Sequence, residues 1–356
     1  MNIRLRAPRI RTRYFSRNYH EELLIFRTLF EKFWLGVLLC FAFAFPYIAD
    51  RYTTYIGSLV LVAVIGSVGL NILTGYTGQI SLGHGAFIAI GAYTYALLFG
   101  KLGVPFVFSI LCAGAVSGLT GIMIGLPALR MKGLYLAMAT LAFHFITEQI
   151  IMNWEGLTGG YQGLDVPIAS FFGLSLHTER RLYYLVLIFC IALVFIAGNL
   201  CRSKIGRAFC AIRDRDLAAE AIGISLTKYK IIAFFVSSVY AGMAGSLMAA
   251  CMGRIAPYDF TLILSIAYIS MVIVGGLGSV VGSILGATAI TLLPFVLTAG
   301  TDLIMPYYPL ISTRFGDVKT LAYGMVIVCF LIWEPDGLIG RWRRIKVYFT
   351  NWPFTY

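Results

Sequence analysis

Charged residues are scarce in this chain. Only 12% of the 356 residues are Asp, Glu, Lys or Arg, whereas 59% are hydrophobic and the mean hydropathy is +0.84. An ordinary soluble domain has roughly 25% charged and 45 to 50% apolar residues. The imbalance excludes a water-soluble globule and indicates a chain that folds in a lipid bilayer.

Residue patterns that support enzyme chemistry are also missing. There is no GxxxxGK[ST] motif for a nucleotide phosphate, none of the four histidines lies in HExxH, and none of the seven cysteines forms a CxxC pair. Ser81 and His84 lie three residues apart, but in a glycine-rich turn such neighbours usually pack and form hydrogen bonds. We therefore predict no catalytic residue, no metal and no directly bound cofactor.

What the sequence has instead is a series of long apolar segments, most of them long enough to cross about 30 Å of hydrocarbon as a helix. They predict an all-α fold, a polytopic membrane protein with about ten transmembrane helices. The candidate spans are residues 33–50, 55–73, 80–99, 105–127, 133–152, 182–200, 229–252, 262–275, 278–299 and 318–333.

The basic residues between these spans predict the orientation, because cytoplasmic segments carry an excess of Lys and Arg. With a cytoplasmic N-terminus, 21 of the 28 basic residues lie on the inner side and 7 on the outer side. The predicted organisation is a basic cytoplasmic extension over 1–32, a transmembrane domain over 33–340 and a basic cytoplasmic tail over 341–356. Membrane topology and contact with anionic lipid then explain the net charge of +12, and no nucleic-acid partner is needed to explain it.

Glycine is abundant, with 37 residues, and part of it follows helical spacing. Stripes at 114, 118, 121 and 125 and at 278, 282 and 286 predict close helix packing. The segments 74–85 and 275–279 behave differently, because glycines and polar residues interrupt apolar sequence there. Paired interrupted segments indicate a translocation path, and the candidate lining residues are Gln79, Ser81, His84, Gly276 and Gly278.

His144 and Glu148 are ionisable residues inside the fifth span and share one helical face. Two interpretations stay open at this point. They contact a substrate, or they form a polar clamp or vestibule near the outer interface, which the position of Glu148 favours.

The longest stretch of charged sequence between spans is residues 203–224. From Arg207 to Ile222 its pattern predicts one amphipathic helix that ends at Gly223. Such a helix resembles the coupling segment of importers of the ATP-binding cassette type, which docks into a groove on the ATPase subunit. The candidate coupling residues are Arg213, Asp214, Asp216, Glu220 and Gly223.

Five segments together resemble the branched-chain amino acid permease family and its M-type subunit. They are the coupling segment, the run from Asn71 through GYTGQISLGHGAF, the stretch GLYLAMATLAF from Gly133, the loop LTGGYQGL from Leu157, and GGLGS from Gly275. The resemblance covers about residues 55–340.

The resemblance implies a permease subunit of the bacterial inner membrane. It would pair with a homologous H-type permease, two cytoplasmic ATPases that bind ATP and Mg²⁺, and a periplasmic substrate-binding protein. The implied substrate is a small, branched-chain or aliphatic amino acid. Urea, short amides or other small solutes remain alternatives within the family. An ion-coupled secondary transporter is an alternative of another class, and a membrane-embedded enzyme is the least supported.

Overall fold

A computed structural model describes residues 29–129, 131, 133–167, 170–171, 174–175, 178–304, 321, 324–325, 328, 332 and 337–351. Almost all of the predicted N-terminal extension and most of the tenth predicted span lie outside these residues. The predicted domain boundaries stay predictions. The last described helix runs across the boundary placed at residue 340.

Helices make up most of the described chain. They are α1 Leu29–Ile48, α2 Arg51–Asn71, α3 His84–Tyr95, α4 Phe106–Ala128, α5 Leu134–Asn153, α6 Glu155–Thr158, α7 Glu179–Arg202, α8 Lys204–Asp214, α9 Asp216–Ala221, α10 Leu226–Met252, α11 Leu262–Gly275, α12 Val280–Ile304 and α13 Gly337–Asn351. A π-helical turn, Ile72–Tyr76, extends α2, and a second, Ala96–Lys101, extends α3. A 3₁₀ turn, Pro257–Phe260, precedes α11.

The described residues also contain four strands of two residues each. Strand β1, Leu164–Asp165, pairs antiparallel with β4, Arg254–Ile255. Strand β2, Ser170–Phe171, pairs in the same way with β3, Leu174–Ser175. These short pairs are local additions to a helical membrane fold.

Seven helical segments of the described chain are long and apolar enough to cross a membrane. The predicted number of ten is therefore not confirmed. One predicted span, 80–99, is not helical at its start, because its helix begins only at His84. Another, 33–50, corresponds to α1, whose strongly apolar part, Gly36–Ile48, is shorter than a full span.

Helices α2 and α10 form the centre of the bundle. In their most apolar windows 78% and 67% of the residues are buried, against 28 to 39% in the other five spans. Glycines make this packing close. A Cβ at Gly118 would lie 2.6 Å from Val239 of α10, and one at Gly91 of α3 would overlap the backbone of Gly242. The packing role predicted for the stripe in α4 is confirmed.

Loop contacts join the helices at one end of the bundle. The Lys101 ammonium donates to the carbonyl of Leu157 at 3.1 Å, and the Arg254 guanidinium donates to the carbonyl of Gln162 at 2.9 Å. The pairing of β1 with β4 lies at the same end. Helices α8 and α9 form a pair that lies at the opposite end of the bundle, where α2 ends.

Candidate functional site

After the π-helical turn that extends α2, the polypeptide turns back into the bundle and reaches α3 without a helix. Residues 77–83 are not helical, yet the His84 imidazole Nε2 donates to the carbonyl of Gly66 at 2.9 Å. Gly66 precedes Tyr76 by ten residues, which is about 15 Å of helix. Residues 77–83 therefore rise beside α2, and the predicted interruption at 74–85 is present.

Neighbouring side chains satisfy part of this irregular backbone, as burial among apolar helices requires. The amide of Leu82 donates to the Thr140 hydroxyl at 2.9 Å, and the Thr74 hydroxyl donates to the carbonyl of Gln79 at 3.1 Å. Thr140 lies on α5, so this helix supports the segment along its side.

The three polar residues predicted to line a path lie inside the subunit. Gln79, Ser81 and His84 are 6%, 1% and 1% exposed. The Ser81 hydroxyl accepts from the amide of Gly83 at 3.4 Å, and the His84 ring packs edge-on against Tyr268 with centroids 5.2 Å apart. Gln79 Nε2 is buried and has no hydrogen-bond partner within the described part of the chain. In this conformation His84 holds helices together, whereas Gln79 keeps an unused donor.

The second interrupted segment, 275–279, is held by one side chain of α2. The Asn71 amide donates to the Ser279 carbonyl at 2.8 Å and to the Ser283 hydroxyl at 2.7 Å, and its Oδ1 accepts from the Gly278 amide at 2.9 Å. Gly278 has a φ of +73°, which strains any residue with a Cβ. Asn71 thus fixes the loop that carries both predicted glycines, Gly276 and Gly278.

The two glycine-rich segments meet in space. A Cβ at Gly75 would overlap the backbone nitrogen of Gly278, so the two main chains touch. The sequence predicted the pair of segments but not Asn71 as the residue that joins them. The available signal was a carboxamide in an apolar span, where an unpaired polar group is costly.

The charged segment after α7 differs from the prediction of one helix from Arg207 to Ile222. It forms two helices, α8 and α9, because the backbone at Arg215 is extended, with φ −158° and ψ 105°. The predicted end at Gly223 is present. Its φ is +86°, its amide donates to the carbonyl of Glu220, and the next amide donates to that of Ala219, which is a Schellman cap.

The apolar side chains of this helix pair divide into two groups. Phe209 and Ile212 of α8 are buried against the bundle, at 0% and 5% exposed. Leu217 and Ile222 are 73% and 75% exposed. The second group leaves apolar surface on a segment outside the spanning helices, beside charged side chains.

The five predicted coupling residues do not form one surface. Arg213 is also exposed, with its side chain at 41%, but its Nη1 reaches inward and donates to the carbonyl of Gly75 at 3.0 Å. Asp216 lies 4.0 Å from the Lys230 ammonium, and both side chains are largely buried. Asp214, Glu220 and Gly223 are exposed.

His144 and Glu148 do not contact each other by a hydrogen bond or an ion pair in the described part of the chain. The Ser265 hydroxyl accepts from the Gly85 amide at 2.8 Å and lies 3.4 Å from Nδ1 of His144. Glu148 is half-buried and lines a small cleft with His144 and Thr147. His144 therefore lies between α3, α5 and α11, and its buried Nε2 has no hydrogen-bond partner among the described residues.

The described residues contain no group of three or more His, Cys, Asp or Glu side chains that could hold a metal ion. The site consists of interrupted helices, glycine contacts and one arginine from a charged helix pair.

Comparison with known proteins agrees with this arrangement. The sequence profile described as "Branched-chain amino acid transport system / permease component" matches residues 52–331. The chain is 32% identical over 340 residues to the high-affinity branched-chain amino acid transport system permease protein LivM of Salmonella typhimurium, and to that of Escherichia coli, covering 89% of this chain and 76% of each relative. It is 27% identical to a probable LivH permease of Methanocaldococcus jannaschii, covering 82% of this chain and 92% of that protein.

No solved structure matches the chain. The profile covers well over half of the residues, and the LivM relatives exceed 30% identity over most of the chain. It is a multi-pass membrane protein, and it belongs to the family of permease components of branched-chain amino acid transport systems.

Proposed function

We propose that this protein is a permease subunit of an ATP-binding cassette importer in the bacterial inner membrane. It forms one half of a path for a small, branched-chain or aliphatic amino acid. The substrate class rests on the names of the LivM relatives, which are 32% identical to this chain. The buried polar side chains near the interrupted helices are neutral donors and acceptors. They can contact the two charged groups of a zwitterion without adding a fixed charge of their own.

One observation supports the importer mechanism most. The helix pair α8 and α9 contacts the interrupted end of α2 through Arg213 and leaves Leu217 and Ile222 exposed. Docking of an ATPase on the exposed side would therefore act on the segments that interrupt the spans. Closure of the ATPase subunits would rock the helices and open the path alternately to each side.

The proposed assembly contains this chain, a homologous H-type permease, two ATPases and a periplasmic binding protein. ATP and Mg²⁺ bind to the ATPases, and the permease does no covalent chemistry itself. Both termini and the helix pair lie on the cytoplasmic side, in agreement with the excess of basic residues there.

The test is uptake and complex recovery in membrane vesicles that contain all subunits. Replacing Leu217 and Ile222 together by Ser should abolish co-purification of the ATPases and ATP-driven leucine uptake, because it removes the exposed apolar surface. Tyr258→Ser is the matched control, since Tyr258 is 68% exposed but precedes α11 at the opposite end of the bundle. The control should retain both activities.

Two results would contradict the proposal. Normal co-purification and uptake in the Leu217 and Ile222 double variant would exclude docking at this surface. Uptake by the wild type that needs a proton gradient and not ATP would favour a secondary transporter. Competition by excess valine, urea or acetamide against labelled leucine separates the amino acid from the other solute classes.

A further inference from the structure

We infer that Arg213 does not belong to the docking surface for the ATPase but is a positioning residue that joins the helix pair α8 and α9 to both glycine-rich segments. This inference rests on the proposed function. It assigns to Arg213 the step between ATPase docking and movement of the interrupted helices.

The contacts of the guanidinium support this role. Its Nη1 donates to the Gly75 carbonyl at 3.0 Å, in the π-helical turn that ends α2. A Cβ at Gly278 would lie 2.7 Å from the same nitrogen, and one at Gly78 would lie 3.1 Å from Cγ of Arg213. The side chain therefore occupies the space that two glycines, Gly78 and Gly278, leave open, on two segments about 200 residues apart in sequence.

The helix pair has no comparable polar link to both segments among its described residues. The ion pair of Asp216 with Lys230 joins α9 to α10, a spanning helix. Phe209 and Ile212 make apolar contacts, which do not hold a particular backbone group in place as a hydrogen bond does. Arg213 alone of the described side chains of the pair donates to the interrupted end of α2.

The other two guanidinium nitrogens of Arg213, Nε and Nη2, face Asp214, the next residue in the chain. Nε and Nη2 each lie 3.4 Å from Oδ1 of Asp214, whose side chain is 70% exposed. The planar guanidinium thus has one edge toward the Asp214 carboxylate, while Nη1 on its other side donates to the Gly75 carbonyl. A displacement of the end of α8 would move the Gly75 carbonyl directly.

The experiment compares Arg213→Ala with Arg207→Ala in the full complex. Arg207 is a matched control, because it lies on the same helix, is exposed and donates to the carbonyl of Arg202 at 3.3 Å, which is not part of either glycine-rich segment. For each variant we would measure co-purification of the ATPases, ATP hydrolysis, and leucine taken up per ATP hydrolysed.

We expect Arg213→Ala to bind the ATPases and hydrolyse ATP at a rate near that of the wild type, with uptake per ATP at least fivefold lower. Arg207→Ala should keep the wild-type ratio. Arg213→Lys should recover part of the ratio, since an ammonium also donates to a carbonyl. If Arg213→Ala is not recovered as a folded subunit, Arg213→Gln, which keeps a polar side chain, is measured in the same way.

Two results would overturn the inference. If Arg213→Ala and Arg213→Gln both take up as much leucine per ATP as the wild type, the contact of Arg213 with Gly75 has no role in coupling ATP hydrolysis to transport. Loss of ATPase co-purification in these variants would place Arg213 in the docking surface. Absence of ATP-driven uptake in the wild-type complex would instead refute the proposed function, so the two failures are distinguishable.

Discussion

Replacing Asn71 by Leu should loosen the junction between α2 and the loop before α12. Asn71 is 1% exposed, and its carboxamide makes hydrogen bonds with Gly278, Ser279 and Ser283. Leu has no donor or acceptor, so all three bonds are lost while apolar volume remains at the position. Asn71→Ala removes the same bonds without adding volume.

The cost follows from which groups are left without a partner. The Gly278 amide loses the acceptor that Asn71 provides, and a buried unsatisfied donor costs about 1 to 3 kcal/mol. The Ser279 carbonyl still accepts from the Ser283 amide at 3.0 Å, so each of the other two bonds counts at a net value of about 0.5 to 1.5 kcal/mol. We therefore expect a loss of about 2 to 6 kcal/mol in unfolding free energy.

The assay is unfolding of the purified subunit in mixed micelles of increasing denaturing detergent. Asn153→Leu is the control, because Asn153 is exposed and its amide bonds only to Gln149 of its own helix. The control should stay within about 0.5 kcal/mol of the wild type. Equal stability of Asn71→Leu, Asn71→Ala and Asn153→Leu would refute the reasoning.

Helix positions were predictable where apolar segments are continuous. The eighth predicted span, 262–275, has the bounds of α11, and the fourth and fifth differ from α4 and α5 by one residue at each end. Hydropathy is sufficient there because hydrocarbon requires every backbone group to be paired within the helix. The family resemblance stated from the motifs is confirmed by the profile match.

The prediction was weaker where the backbone leaves the helix. Composition marks residues 74–85 as irregular, but it does not indicate that the segment turns back to place His84 beside Gly66. The break at Arg215 was missed for a similar reason. The charge and apolar pattern of 207–222 continues through it, and only the extended backbone at one residue separates α8 from α9.

Long-range partners could not be predicted from one sequence. Arg213 was assigned to the ATPase surface because residues 203–224 resemble the coupling segment of importers. Its contact with Gly75 depends on the space left by Gly78 and Gly278, two glycines that are distant in sequence, and no local pattern encodes that meeting. The roles of the predicted site residues in transport stay predictions.

Three further predictions concern packing, orientation and the interrupted helix. Gly91→Ala should destabilise the subunit by about 1 to 3 kcal/mol, because its Cβ would overlap the backbone of α10, whereas Gly198→Ala meets open space and should not; equal thermal midpoints would contradict the close crossing. Cys210 of α8, as the single cysteine retained, should react with an impermeant thiol reagent in inside-out vesicles only, and reaction in right-side-out vesicles would overturn the proposed orientation. His84→Leu removes the bond that ties the start of α3 to the Gly66 carbonyl of α2, which keeps its intrahelical donor, whereas His84→Gln keeps an N–H that can reach the same carbonyl. Recovery of folded subunit should therefore be several-fold lower for Leu than for Gln, measured by size-exclusion chromatography. If both variants fold equally well and only uptake of leucine is lost, His84 contacts the transported molecule and is not needed to anchor the start of α3.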